Sequence, residues 1–235
     1  MSPKKMQSHR DLQVDQNLSQ AWRQRQVSQG FTLFETVVAM LLISTIVLAM
    51  TPPIFLAVAI RVQNRRAEQA MQLAQGEIDR VRVLVEQEKY TINDLPAVTA
   101  TSPINITSVS APTTLSNTIK SDNSSCSNLY GGTQIPDNTA LQVDVKKDCK
   151  PDFLVQTFRD SGVTRLVGTN QVVMAFRMGV RVYAYAAVVP QNGQLPSLDT
   201  QPASLKFTTG VGNQRSRPLA VLYTTIARSD SNLSL

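Results

Sequence analysis

The sequence of 235 residues is poor in the side chains that most enzymes and metal proteins use. Its only histidine is His9, so residues 31–235 contain none. That absence excludes, from this part of the chain, a serine or cysteine nucleophile paired with histidine and any histidine metal site. The two cysteines alone are too few for a four-ligand zinc site. We therefore expect no catalytic residue, no metal and no cofactor.

Signatures of nucleotide and nucleic-acid binding are missing as well. Gly210-Val211-Gly212 is followed by Arg215 where a dinucleotide motif needs a third glycine, and no glycine precedes a Lys-Ser/Thr pair as in a P-loop. Outside residues 1–30, 18 basic residues face 15 acidic ones, so the net charge of +6 falls to +3. The basic spots at 146–147 and at 215 and 217 lack interleaved aromatics, which makes nucleic acid an unexpected partner.

The densest acidic group is mixed with lysines. Its members are Asp144, Asp148, Asp152 and Asp160, and the lysines are Lys146, Lys147 and Lys150. Neighbouring carboxylates are able to act as an acid–base pair or to hold calcium. Because lysines lie among them, we interpret the group as a solvated face of mixed charge.

The two cysteines, Cys126 and Cys149, lie 23 positions apart in a polar part of the chain. A single disulfide that closes a loop needs two cysteines and an oxidising compartment. Spacing alone does not fix the pairing, so two reduced, buried thiols are the alternative.

Hydrophobic residues concentrate in one run, Phe31–Ile60, whose single ionisable side chain is Glu35. As a helix this run would be about 45 Å long, more than the hydrocarbon core of about 30 Å. Residues 1–29 before it are polar and basic, and three arginines follow it within six residues. We predict one membrane pass with residues 1–30 in the cytoplasm, because a large C-terminal region can be translocated regardless of the flanking arginines.

The order of polar leader and apolar run is the reverse of an ordinary secretory signal, which is removed together with its apolar core. Here a small residue precedes the core, and the stretch Gly30-Phe31-Thr32-Leu33-Phe34-Glu35 resembles the prepilin signature of type IV pilins and type II secretion pseudopilins. The resemblance implies that a prepilin peptidase cuts between Gly30 and Phe31 and methylates Phe31. The alternative is an uncleaved signal anchor with a chance Gly-Phe pair.

Glu35 is the residue that distinguishes these two interpretations. An acid inside an apolar helix costs on the order of 2.5–3.5 kcal/mol on insertion scales, so it is expected to have a partner. Cleavage would create one, because the new α-amino group at Phe31 lies one helical turn away. In the family the glutamate meets the amine of the neighbouring subunit and so sets the register of assembly. A pair within one chain is the alternative.

Pro52 and Pro53 interrupt the apolar run. Each removes a backbone donor and clashes with the preceding turn, so a kink or local unwinding is predicted near residues 48–53. Pro52 would be the twenty-second residue after cleavage, where pilins commonly carry a proline. The adjacent Pro53 departs from that pattern.

Residues 61–90 keep a helical pattern and turn amphipathic. Their predicted apolar stripe is Ala67, Met71, Ala74, Ile78, Val81 and Val85. One helix is therefore expected from Phe31 to about Lys89. The Ala/Gln-rich helix followed by Ile78-Asp79-Arg80-Val81-Arg82 is similar to minor pilins and minor pseudopilins more than to major subunits.

The remainder predicts a polar loop followed by a sheet. Residues 91–138 are rich in Ser, Thr, Asn and Pro, and read as a long loop with room for short strands. Residues 139–235 are predicted to form an antiparallel sheet, whose strands are Leu141–Val145, Phe153–Phe158, Val172–Val189, Leu205–Thr209 and Leu219–Ala227. The fold class is α+β, a long N-terminal helix packed on a small antiparallel sheet, which by resemblance is the lollipop shape of pilins.

The resemblance implies a non-enzymatic minor pilin or pseudopilin that acts in filament assembly, secretion or motility. Its implied partners are the prepilin peptidase, other pilins or pseudopilins, an inner-membrane platform protein, an assembly ATPase, and membrane lipid before assembly. It would pass once through the inner membrane with its C-terminal region in the periplasm, and then enter a pilus or pseudopilus. The alternative function is a membrane-anchored periplasmic binding or adhesion protein. Pili, secretion, DNA uptake and polysaccharide export, as in filamentous cyanobacteria, are not distinguished by the sequence.

Overall fold

The computed structural model describes residues 32–87, 90–99, 105–167, 170–188, 195–203 and 216–228. The chain divides into two compact units, residues 1–57 and 58–235. The described elements are an α-helix and six strands, with short 3-10 turns at 92–94, 106–108 and 185–187. Their bounds are α1 Leu33–Glu86, β1 Thr114–Ser121, β2 Thr139–Asp144, β3 Phe153–Arg159, β4 Val163–Val167, β5 Asn170–Ala184 and β6 Ala220–Ala227.

The described part of the first unit is the beginning of α1. One window, Leu33–Met50, is long and apolar enough to cross a membrane, with a mean hydropathy of 2.3, and none of it is buried. The hydroxyls of Thr36, Ser44 and Thr45 donate to backbone carbonyls one turn earlier in the helix. These polar side chains are therefore satisfied inside the helix, as an apolar medium requires.

Helix α1 continues through Pro52 and Pro53 without a break. The predicted local unwinding is therefore not found, since residues 48–53 are all helical. The kink itself stays a prediction.

In the second unit, α1 packs its apolar stripe against the sheet. Five of the six predicted stripe residues are buried, but Met71 is 37% exposed and Ala70, one position earlier, is fully buried in its place. Ala70 and Ala74 both belong to the core between the helix and the sheet. The buried stripe therefore runs through Ala67, Ala70 and Ala74, and its spacings of three and four are those of a single helix face.

The sheet is mixed, so the predicted purely antiparallel sheet is wrong. The strand order is β1-β2-β3-β5-β4, with β6 also paired to β5. β1 and β2 run parallel, and every other pair is antiparallel. The seventeen residues between β1 and β2 are long enough for the crossover that a parallel pair needs.

Two strands lie where the sequence analysis placed no specific strand, although it left room for short strands within residues 91–138. β1 lies within the polar stretch 91–138, and only Ile119 among its eight residues is buried. β4, Val163–Val167, was also missed. The strands β2, β3, β5 and β6 lie close to their predicted ranges, whereas Leu205–Thr209 falls outside the described residues.

The sheet is covered on both faces. One face joins α1 in the main core, where Val155, Met178 and Val180 are buried. The residues that alternate with these, such as Leu154 and Tyr183, pack in a smaller cluster on the opposite face. β5 is central because it pairs with β3, β4 and β6.

A bulge separates β3 from β4 where both pair with β5. Arg159 pairs with Met178 and Val163 with Ala175, so three residues on one side oppose two on the other. The Asp160 carboxylate accepts hydrogen bonds from the backbone N–H and Nε of Arg177 at 2.9 and 2.8 Å.

Candidate functional site

Glu35 lies in the first turn of α1 on an exposed apolar surface. Its neighbours Leu33 and Phe34 are 82% and 77% exposed. Its backbone N–H donates to Thr32 Oγ1 at 3.3 Å, and its carboxylate forms no ion pair with any described residue. Gly30 and Phe31, the predicted cleavage and methylation positions, lie outside the described residues.

The helix around Glu35 is apolar enough to carry one acid into a membrane. Ten Leu, Ile, Val or Phe residues lie in Leu33–Met50. At roughly 0.3–0.6 kcal/mol each on an insertion scale they contribute roughly 3–6 kcal/mol, against about 2.5–3.5 kcal/mol for a single acid at the centre. The acid is thus tolerated, and it is the one charge in the segment that a partner is able to recognise.

The prediction of a solvated face of mixed charge at 144–160 is confirmed only in part. Asp148 and the three lysines are exposed, but Asp144 and Asp160 are buried. Asp144 accepts a hydrogen bond from Ser121 Oγ at 2.8 Å and from the backbone N–H groups of Lys147 and Cys149 at 2.7 and 2.8 Å. Burial alone would raise its pKa, but these donors outweigh burial and the pKa lies below the ordinary value. Asp144 therefore holds the loop between β2 and β3 in place.

Asp148 and Asp152 are used locally by the same loop. Asp152 accepts from the backbone N–H groups of Val145 and Lys146 at 3.1 Å each and forms an ion pair with Lys146 Nζ. Asp148 is exposed and accepts from the Lys150 backbone at 3.2 Å. Within the described ranges, no three His, Cys, Asp or Glu side chains are grouped so as to hold a metal ion.

Cys126 and Cys149 form a disulfide that joins this loop to the segment after β1. Lys147 and Cys149 both have positive φ angles, 64° and 61°, on either side of Asp148. The cross-link and the Asp144 hydrogen bonds together fix a short, irregular loop that has little apolar packing of its own. A disulfide that closes a loop of this length stabilises a fold by roughly 3 kcal/mol.

A cleft of about 530 Å³ lies between this loop and α1 in the C-terminal unit. Its walls include Arg66 and Gln69 of α1, and Lys146 and Lys150 of the loop. Its floor includes the buried Phe153 at the start of β3. The volume lies in the range of small-ligand sites. The cleft is not predictable from the sequence because its walls come from segments some 80 residues apart. Its one sequence signal is Lys146, which belongs to the basic spot at 146–147.

Two fully buried arginines were also missed. The Arg181 guanidinium lies 4.8 Å from the Phe158 ring centroid and donates to Tyr223 Oη at 3.1 Å and to Gln156 Oε1 at 3.3 Å. None of the ion pairs among the described residues includes Arg181. Neutral acceptors and the aromatic face therefore satisfy this cation. An arginine in a strand is ordinarily expected to face solvent, so nothing in the sequence predicted that Arg181 is buried.

Arg159 is the second buried arginine, only 1% exposed. Its Nε donates to the Pro96 carbonyl at 2.8 Å, and its guanidinium lies 5.5 Å from the Phe176 ring centroid. Burial lowers its pKa, and the nearby charge of Asp160 opposes that effect. Both arginines anchor loops to the sheet, and neither lies in the wall of the cleft.

Comparison with known proteins adds no relative. No protein-family model, curated protein or solved structure matches this chain.

Proposed function

We propose that this chain is a filament subunit, a minor pilin or pseudopilin of a type IV pilus or a type II secretion-like pseudopilus. The observation that carries the proposal is the apolar surface of α1, exposed from Leu33 to Met50 and again at Phe55, which bears one carboxylate, Glu35. The stretch Gly30–Glu35, which resembles a prepilin signature, supports it independently.

In this proposal the exposed apolar surface of α1 is covered first by membrane lipid and then by other subunits. Before assembly, membrane lipid surrounds the helix, since an apolar helix of this length satisfies its own backbone groups in a bilayer. During assembly, the helices of other subunits replace the lipid. Cleavage after Gly30 frees an amine at Phe31, and pairing it with Glu35 of the next subunit offsets the cost of burying both charges.

In this proposal the subunit is structural and has no enzymatic activity of its own. The prepilin peptidase processes it, and the platform protein and the assembly ATPase drive its insertion into the filament. It starts in the inner membrane with residues 58–235 in the periplasm and ends in the filament.

Replacing Glu35 tests the assembly role. In cells that produce the full chain with its assembly machinery, Glu35→Ala should leave membrane insertion unchanged and reduce incorporation into sheared filaments by at least tenfold. Glu68→Ala is the matched control, because Glu68 is an exposed acid on the same helix. Incorporation of Glu35→Ala at the level of Glu68→Ala would contradict the proposal.

The mass of the N-terminal peptide tests processing separately. The mature peptide should begin at Phe31 and be about 14 Da heavier if it is methylated. A full-length N-terminus in cells with an active peptidase would contradict the pilin assignment, whatever the result for Glu35.

The cleft favours a second candidate, a membrane-anchored binding protein whose helix is only a tether. Its volume of about 530 Å³ and its mixed polar and apolar lining suit a small ligand. This candidate predicts that Glu35→Ala changes neither membrane insertion nor function, so the same experiment separates the two.

A further inference from the structure

We propose that the cleft beside Arg66 and Lys150 is a phosphate site that takes the headgroup of an anionic phospholipid. It requires only that α1 enters a membrane, so it stands whether or not the chain assembles into filaments. The cleft combines cations that are unpaired among the described residues with an apolar floor, and an exposed apolar helix surface lies beside it.

The charges of the cleft leave two cations available to a ligand. Lys146 is neutralised by its ion pair with Asp152. Arg66 and Lys150 form no ion pair with any residue that the structure describes. Arg66 also lies close enough to Lys146 for their like charges to interact. An anion between the two walls would relieve this concentration of positive charge.

The two carboxylates of the cleft would repel an anion, but one of them is already paired with a cation. Asp152 is saturated by Lys146 and two backbone N–H groups. Asp148 has one backbone donor, from Lys150, and is exposed. With three cations and two carboxylates among its lining residues, the cleft carries a net charge of +1. Asp148 is therefore the residue expected to weaken anion binding.

The remaining lining suits an amphipathic ligand better than a bare ion. Phe153 and Ala184 are almost fully buried, and Val145, Pro151 and Tyr185 complete an apolar floor. A phosphate with a glycerol backbone and the start of an acyl chain is able to contact both the cations and this floor.

The helix surface beside the cleft points to a membrane as the source. At the start of the C-terminal unit, Val58, Ile60 and Val62 are 56%, 37% and 46% exposed. Arg61, Arg65 and Arg66 are interleaved with them or follow within two turns. An apolar helix surface that ends in arginines is typical of the level of lipid headgroups, where basic residues attract anionic lipids.

Lipid retention by the full chain tests the proposal. The chain is purified in a neutral detergent with phosphatidylglycerol or phosphatidylcholine at a low mole fraction, and native mass spectrometry counts the retained lipids. The wild type should retain phosphatidylglycerol selectively. The double variant Arg66→Gln/Lys150→Gln should bind it roughly 30-fold more weakly, at about fivefold per cation.

The matched control is Arg65→Gln/Lys147→Gln. It removes the same charge from the neighbouring positions on the helix and the loop, and neither residue lines the cleft. This control should lose no more than a fewfold of the affinity, and Asp148→Asn should strengthen retention. Equal losses in the control and the cleft variant would mean diffuse attraction to charge and would overturn the proposal.

Inorganic phosphate separates the two sources of the ligand. Millimolar phosphate should compete only weakly with phosphatidylglycerol, because it cannot contact the apolar floor. Phosphate that binds as tightly as the lipid would identify a soluble ligand and overturn the membrane assignment. Should the double variant fail to fold, Lys150→Gln alone carries the test, since the exposed Lys150 side chain supports no described contact of the fold.

Discussion

Gly162 lies in the bulge between β3 and β4, where its backbone has a φ of 65°. A Cβ at this position would lie 2.2 Å from the Ala175 carbonyl oxygen and 2.7 Å from the Phe176 Cβ. Both neighbours belong to the central strand β5, so neither is able to move without disturbing the sheet. Glycine is required here for both its conformation and its lack of a side chain.

We predict that Gly162→Ala lowers the free energy of unfolding by at least about 2 kcal/mol, combining a strained backbone with a steric clash. Denaturant titration of the full chain in detergent measures the change. Gly131→Ala is the control, because a Cβ there would meet nothing within 4 Å, and it should be neutral within about 0.5 kcal/mol. A Gly162 variant as stable as the control would show that the bulge is not rigid.

At the scale of elements, Glu77 connects α1 to β1. It is 6% exposed and forms ion pairs with Arg80 on its own helix and Lys120 on β1. Burial raises its pKa, but the charges and hydrogen bonds of Lys120 and Arg80 outweigh burial and bring the pKa below 4.5. A polar edge strand is thus held to the helix by a buried acid as well as by apolar contacts.

Glu77→Gln should destabilise the protein by roughly 2 kcal/mol at pH 7, because it leaves the two cations without their counter-charge. The folded-state pKa is depressed, so the stabilisation is complete above about pH 4.5 and is lost as the pH falls through the lower folded-state value. Denaturant titrations at pH 7 and below pH 4 should therefore show a variant effect that shrinks at acid pH. Glu86→Gln, at an exposed position of the same helix, should show little effect at either pH.

The elements that the sequence predicted are those with a periodic apolar pattern. α1 is marked by its apolar run and stripe, and β3 and β5 by their apolar and β-branched residues. β1 has the sequence TLSNTIKS, with one buried apolar residue, so its polar composition resembled a loop. Its contacts are with residues distant in sequence, such as Glu77 with Lys120 and the parallel pairing with β2, which no local pattern encodes.

The candidate sites likewise divide into those marked by a local sequence pattern and those formed by residues distant in sequence. Glu35 was identified from the sequence because a single acid in an apolar run is conspicuous without knowledge of any distant contact. The cleft was not, because Arg66 and Lys150 come together only when the helix packs against the sheet. Asp144 was assigned to a solvated face because its Ser121 and backbone donors are invisible in a list of neighbouring charges.

On the scale of the whole molecule, the two units differ in whether their apolar side chains are exposed or buried. The apolar side chains described at 33–50, 55 and 57 are exposed, whereas every core residue that the structure describes as buried lies at or after Ala67. The first unit therefore depends on its surroundings for stability, and the second carries its own core, its sheet and its disulfide.

This division predicts that a fragment of residues 58–235 folds without the apolar segment. It should be soluble, keep the Cys126–Cys149 disulfide, and unfold cooperatively with a free energy within about 1 kcal/mol of the full chain, because no described core contact is lost.

A fragment that begins at Gln75 is the control. It lacks Ala67, Ala70 and Ala74, and losing that part of the helix–sheet core should prevent stable folding. Denaturant titration and a free-thiol assay measure both fragments. An unfolded 58–235 fragment beside a folded full chain would mean that the apolar segment stabilises the C-terminal unit directly.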